Sequence, residues 1–130
     1  MNNCAWRGQS KKNDKPWGYE IVWGALQAVH GKILVIEKGK RTSFKYNERK
    51  NEVLHILRGK AHIKYGDQKT LIDEISAPYR EQEFVVGDVL CIQNGSPYRI
   101  TAIEECEIIE IGDNSSNSVV RLDDDYGRKT

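Results

Sequence analysis

The stretch from Gly39 to Gly59, GKRTSFKYNERKNEVLHILRG, decides the fold. It holds a glycine, a polar segment carrying Lys45 and Asn47, then Glu52, then an apolar run closed by Gly59. By the two-residue period of a strand, Arg41, Ser43, Lys45 and Asn47 share one face of an expected strand over 41–46. Glu52–Arg58 reads as the next strand, reached through ERKN and ended by a turn at Gly59. A strand face built from cations and an amide, followed by a buried-type strand that opens on a carboxylate, reads as the wall of a pocket.

Outward from there, the pattern stays short and alternating. Strands are expected over 19–28, over KILVIEKG from Lys32, over 60–65, over 83–86, over VLCIQ from Val89, over 98–103 and over 107–111. Gly66-Asp67, Gly87-Asp88 and Asn94-Gly95 supply turns. No run of about 10–12 residues has a helical period, so an all-β barrel or sandwich is expected. Residues 1–14, polar and without apolar period, read as a flexible N-terminal arm that Trp6 could anchor; residues 15–130 read as one domain with a C-terminal tail.

The 130 residues carry 20 basic and 19 acidic side chains, a balance that argues against a nucleic-acid binder but leaves room for a small anionic ligand. Three cysteines without CxxC spacing read as reduced thiols, with Cys91 buried in a strand. No apolar run approaches the ~18–20 residues of a membrane span. The polar start lacks the apolar segment of a signal peptide, so a cytoplasmic protein is expected.

The spacing Gly39, Lys45, Asn47, Glu52, Gly59 is similar to the first signature motif of the cupins. A second block, Gly87-Asp88-Val89-Leu90-Cys91-Ile92 followed by Gln93, Gly95 and Tyr98, resembles their second motif. With KPWGYE from Lys15 and VVRLDDDYGR ending at Arg128, the chain resembles type II mannose-6-phosphate isomerases. Their cupin domain also forms the C-terminal part of bifunctional enzymes with mannose-1-phosphate guanylyltransferase activity. The resemblance implies a single-domain cupin, a double-stranded β-helix or jelly-roll barrel. It also implies aldose–ketose interconversion of a sugar phosphate with a divalent metal such as zinc.

At the positions where the resemblance places metal ligands, this chain has Lys45, Asn47, Glu52 and Tyr98, and only the glutamate keeps its identity. An ammonium, an amide and a phenol are poor partners for zinc or iron, so no metal or other cofactor is expected. If the chain catalyses, Lys45 supplies the fixed positive charge and Glu52 the base. The other reading is a structural ion pair in a pocket that only binds. Asn47 and Tyr98 are candidates for hydrogen bonds to a sugar, and Arg41 and Arg128 for contact with a phosphate, each with a surface charge as the alternative for the arginines. His30 reads as exposed, His55 as facing away from Glu52, and His62 is unplaced. Asp123-Asp124-Asp125 suggests either a solvated turn or a hard-cation site. Three classes stay open: a sugar-phosphate isomerase, a carbohydrate- or anion-binding cupin without catalysis, and an interaction subunit. The expected partners are a small sugar or sugar phosphate and a second copy of the chain in a homodimer, with neither nucleic acid nor membrane.

Overall fold

Inward-facing side chains change character along three strands of this barrel, those over Val29–Ile36, Glu52–Arg58 and Cys106–Gly112, from aliphatic at one end to charged or polar at the other. The computed structural model describes residues 3–26, 29–113 and 118–128. It contains eleven strands: β1 (Lys11–Lys15), β2 (Gly18–Leu26), β3 (Val29–Ile36), β4 (Phe44–Asn47), β5 (Glu52–Arg58), β6 (Ala61–Tyr65), β7 (Arg80–Phe84), β8 (Val89–Ile92), β9 (Tyr98–Ala102), β10 (Cys106–Gly112) and β11 (Val119–Asp123). No α-helix occurs among the described residues; a single 3₁₀ turn spans Gln68–Leu71. Among the described residues no helix is long and apolar enough to cross a membrane.

The strands form two antiparallel sheets, β1-β2-β3-β10-β5-β8 and β11-β4-β9-β6-β7. They face one another over a core that includes Leu34, Ile36, Leu54, Ile56 and Ile108 from the first sheet and Ile63, Phe84, Ile100 and Ala102 from the second. Register fixes the layers. Leu34 lies opposite Ile108, and Ile108 opposite Ile56. One step along, Lys32 pairs with Glu110 and Glu110 with Leu54. One step further, His30, Gly112, Glu52 and Ile92 form a row across four strands. Across the barrel, Tyr98, Lys45 and Arg121 are neighbours on β9, β4 and β11. The apolar end supplies the burial that stabilises the fold; the other end is a polar chamber.

Several expectations shift. The segment read as a flexible arm is ordered from Lys11, because β1 completes the edge of the first sheet against β2. Lys15 of that strand reaches Glu20 at 3.0 Å. The strand expected over 41–46 begins only at Phe44, since Thr42 and Ser43 are both buried and break the alternation. The strand expected over 83–86 runs instead from Arg80 to Phe84, paired with β6. Cys91 is exposed, because β8 turns Leu90 and Ile92 inward.

Gly59 is held by the tightest approach in the β5–β6 turn. Its φ is +85°, and a Cβ there would lie 2.0 Å from the carbonyl oxygen of Glu105. Gly59→Ala is therefore expected to cost about 2 kcal/mol or more, combining left-handed strain with a backbone clash. Urea unfolding should show a lower midpoint at unchanged slope; a midpoint equal to the parent's would contradict this account of the turn.

Candidate functional site

The polar chamber is organised by two buried acids. Glu52 and Glu110 are 3% and 4% exposed. Oε1 of Glu52 accepts hydrogen bonds from Asn47 Nδ2 at 2.8 Å and from the Tyr98 hydroxyl at 3.0 Å. Oε2 of Glu110 accepts from His30 Nε2 at 3.2 Å and from Lys50 Nζ at 3.1 Å. Lys50 also lies 3.2 Å from Oε2 of Glu52, so one ammonium bridges both acids. The two carboxyl groups are near enough that each acts on the ionisation of the other.

Lys50 comes from the β4–β5 connection and enters through a gap left by Gly112. A Cβ at Gly112 would stand 2.5 Å from Lys50 Cε. The missing side chain is what lets a loop lysine reach the barrel interior.

The two acids titrate in opposite directions. Burial alone would raise Glu110, but the His30 hydrogen bond and the charges of Lys32 and Lys50 hold it far below the usual carboxylate range. Burial pushes Glu52 up, and the charge of Glu110 adds to the rise. Of the pair, Glu52 is therefore the acid that holds a proton more readily and Glu110 the one favoured as the anion. Burial drives the Tyr98 phenol up as well, so it stays a donor. Lys45 is lowered by burial, against the raising charges of Glu52 and Glu110.

Next to this cluster opens a cavity of about 200 Å³. Five basic side chains line it (Lys15, Lys32, Lys45, Arg121 and Arg128) against the carboxylates of Glu20 and Glu110. Glu20 lies 3.0 Å from Lys15 and 2.8 Å from Lys32; burial opposes its ionisation, but these two lysines hold its carboxyl below the ordinary value. Trp17, Leu34, Tyr98 and Ile100 supply the apolar wall.

Of the site residues expected from sequence, Lys45, Tyr98 and Arg128 line this cavity. Asn47 and Glu52 are in the buried cluster and do not line it. Arg41 is placed elsewhere. Its chain is outside the regular part of β4, and its guanidinium is bound by Asp125, with Nη2 donating to Oδ1 at 2.7 Å. The acidic run leads into a turn with Asp123 and Asp125 exposed, as expected, and each of its carboxylates takes an arginine partner. Asp123 accepts from Arg99 at 3.0 Å, Asp124 from Arg128 at 3.0 Å and Asp125 from Arg41, while Tyr126 packs on the core. These pairs fold the tail over the barrel and bring Arg128 to the cavity. His30, expected to be exposed, is turned inward by its register with Gly112. His55 is exposed on the opposite face from Glu52, and His62 pairs at the surface with Glu81 at 3.4 Å. Sequence reasoning missed Glu20, Lys32, Lys50 and Glu110.

A divalent metal does not fit the four positions that match cupin ligands. Both oxygens of Glu52 already face N–H or O–H donors, Asn47 presents its NH₂, and Lys50 brings positive charge to the same space. Among the described residues no group of three His, Cys, Asp or Glu side chains is spaced to hold a metal ion.

No family model and no curated protein matches this sequence. Among solved structures, it is similar to oxalate decarboxylase from Bacillus subtilis, with TM-score 0.74 and 17% identity over 87% of this chain and 30% of that one. It is also similar to KdgF from Halomonas sp., with TM-score 0.68 and 10% identity over 82% of this chain and 90% of that one. The chain thus spans about 30% of the decarboxylase chains it matches. These likenesses, with the two facing antiparallel sheets, define the fold as a single-domain cupin jelly roll.

The titration of Glu52 is accessible to experiment. Its folded pKa is raised above the ordinary value of 4.5, so its contribution to stability is complete below that value. The contribution is lost as pH rises through the folded pKa. Glu52→Gln mimics the protonated form and removes that loss. The melting temperature of the variant, relative to the parent, is expected to climb between pH about 5 and about 8. A difference independent of pH would show that Glu52 is not the proton carrier.

Proposed function

We propose that this chain binds a phosphorylated sugar in the mouth of the barrel, without a metal. The observation that carries this reading is the convergence of five basic side chains on one cavity of about 200 Å³. The phosphate takes the end formed by Lys15, Lys32, Arg121 and Arg128, where guanidinium groups suit its oxygens. The sugar takes the end formed by Lys45, Tyr98 and the indole of Trp17. The resemblance of the motifs to the mannose-6-phosphate isomerases makes a hexose 6-phosphate the first ligand to test.

Aldose–ketose isomerisation is the second reading, and Lys45 on the cavity wall favours it. Binding ranks first because the acids divide a base's two requirements. Glu52 has the raised pKa but both oxygens are engaged; Glu110 lines the cavity but is strongly stabilised as the anion.

Calorimetry after chelator treatment separates these readings from an idle pocket. Mannose 6-phosphate is expected to bind at least about tenfold tighter than mannose, and Arg128→Ala to weaken it by about tenfold, ~1.4 kcal/mol. Equal affinity for mannose and its phosphate would overturn the assignment. Formation of fructose 6-phosphate in the same chelated sample would promote the isomerase reading above binding.

The partner proposal concerns the outer face of the first sheet. Ile21, Ile33, Ile109, His55 and Val89 lie in one outward row across five strands. Beside them Trp23, Leu26, Val29, Val53 and Ile111 are each 41–53% exposed. A contiguous apolar face of this kind suits a second copy packed on the same face. Light scattering is expected to give a dimer, and Val53→Lys with Ile111→Lys a monomer; a monomeric parent protein would refute the interface.

A further inference from the structure

Lys45 is the one amine in the polar chamber that pairs with no acid. Lys15 and Lys32 are each within 3.0 Å of Glu20, and Lys50 is bound to Glu52 and Glu110. Among the described residues Lys45 Nζ has no salt-bridge partner; it lies 5.7 Å from the centroid of the Tyr98 ring and lines the cavity. Strand register places it between Tyr98 and Arg121, on the inward side of β4. The acids that could have paired with it are already taken: Glu52 by Asn47, Tyr98 and Lys50, and Glu110 by His30 and Lys50.

We propose that Lys45 is a nucleophilic amine that captures the carbonyl carbon of an open-chain sugar phosphate as an imine. A buried lysine beside other cations is the environment in which an amine becomes a nucleophile near neutral pH. Burial lowers Lys45 first, and the nearby charges of Lys32 and Arg121 act in the same direction. The Nζ lone pair adds to the carbonyl carbon, and the carbonyl oxygen takes a proton to give a carbinolamine. That hydroxyl leaves as water while nitrogen gives up its remaining proton, forming C=N. Hydrolysis reverses the sequence, and no oxidant or reductant takes part. The cations at the other end of the cavity hold the phosphate and present the carbonyl to the amine. This inference rests on the binding reading above for the identity of the ligand, not for the reactivity of the amine.

The test is reductive trapping with erythrose 4-phosphate, a sugar phosphate that cannot close a stable pyranose ring, in the presence of cyanoborohydride. The expected product is a protein heavier by the probe less one oxygen atom, with the adduct mapped to Lys45. Labelling of Lys45 should be faster than that of surface lysines, since burial lowers its pKa and leaves more of it as free amine. Lys45→Arg should abolish the fast phase, and excess inorganic phosphate should slow it. Label spread evenly over surface lysines of the parent protein overturns the proposal, and that result needs no variant to fold. If erythrose labels Lys45 as fast as its phosphate and inorganic phosphate has no effect, the imine stands and the phosphate assignment falls. If mannose 6-phosphate binds in calorimetry while Lys45 stays unlabelled, the binding reading stands and the imine falls.

Discussion

The ammonium of Lys50, set between Glu52 and Glu110, is the interaction on which the polar end of the barrel depends. Two neighbouring buried carboxyl groups cannot both ionise at tolerable cost, because each charge is desolvated and repels the other. The chain meets this by favouring the proton on Glu52 and the charge on Glu110, with one bridging cation. Gly112 leaves the space through which that cation arrives. His30 and Lys32 complete the neutralisation of Glu110 from the neighbouring strand, whereas Asn47 and Tyr98 hold Glu52 from the opposite sheet. The cluster therefore ties the two sheets together at the end where the aliphatic core is absent.

The fold was largely legible in the sequence, and the site only in part. Strand β5 was readable to the residue: it spans the Glu52–Arg58 expected, with Glu52, Leu54 and Ile56 inward and Val53 and His55 outward. Strand β10 was readable as a strand but not as a wall of the site. Its outward positions, Ile109 and Ile111, are as apolar as inward Ile108, so alternation could not say which face Glu110 takes. The same ambiguity hid Lys32 and His30 on β3. Lys50 escaped for a different reason: it belongs to a connection, where strand period carries no information, and only its length brings it inside.

Arg41 illustrates the opposite error. A period of two extended back from Lys45 puts it in the pocket, but Thr42 and Ser43 are both buried and the parity is lost between them. Its true partner, Asp125, is 84 residues away. The acidic run could be read only as local charge, since nothing in its spacing reveals that two distant arginines, Arg41 and Arg99, converge on it beside Arg128. The consequence for the site is direct. By pairing with partly exposed Arg41, buried Arg99 and Arg128 at the rim, Asp125, Asp123 and Asp124 set which guanidinium reaches the cavity.

The residues at the four motif positions are related to one another by charge accounting. A metal-binding set at these positions would present lone pairs toward a central cation; this one presents N–H and O–H donors toward a central carboxylate. The polarity of the site is inverted while the backbone frame is kept. Inversion explains why Glu52 alone retains its identity: it is the acceptor that the surrounding donors need. It also explains the isolation of Lys45. Once Lys50 has entered past Gly112 and taken both carboxylates, the lysine on β4 has no anion left to pair with and faces the cavity beside Arg121. A buried lysine without a counter-ion is costly as an ammonium and cheaper as an amine. The ion pair at the barrel's floor thereby fixes the chemical character of the group at its wall.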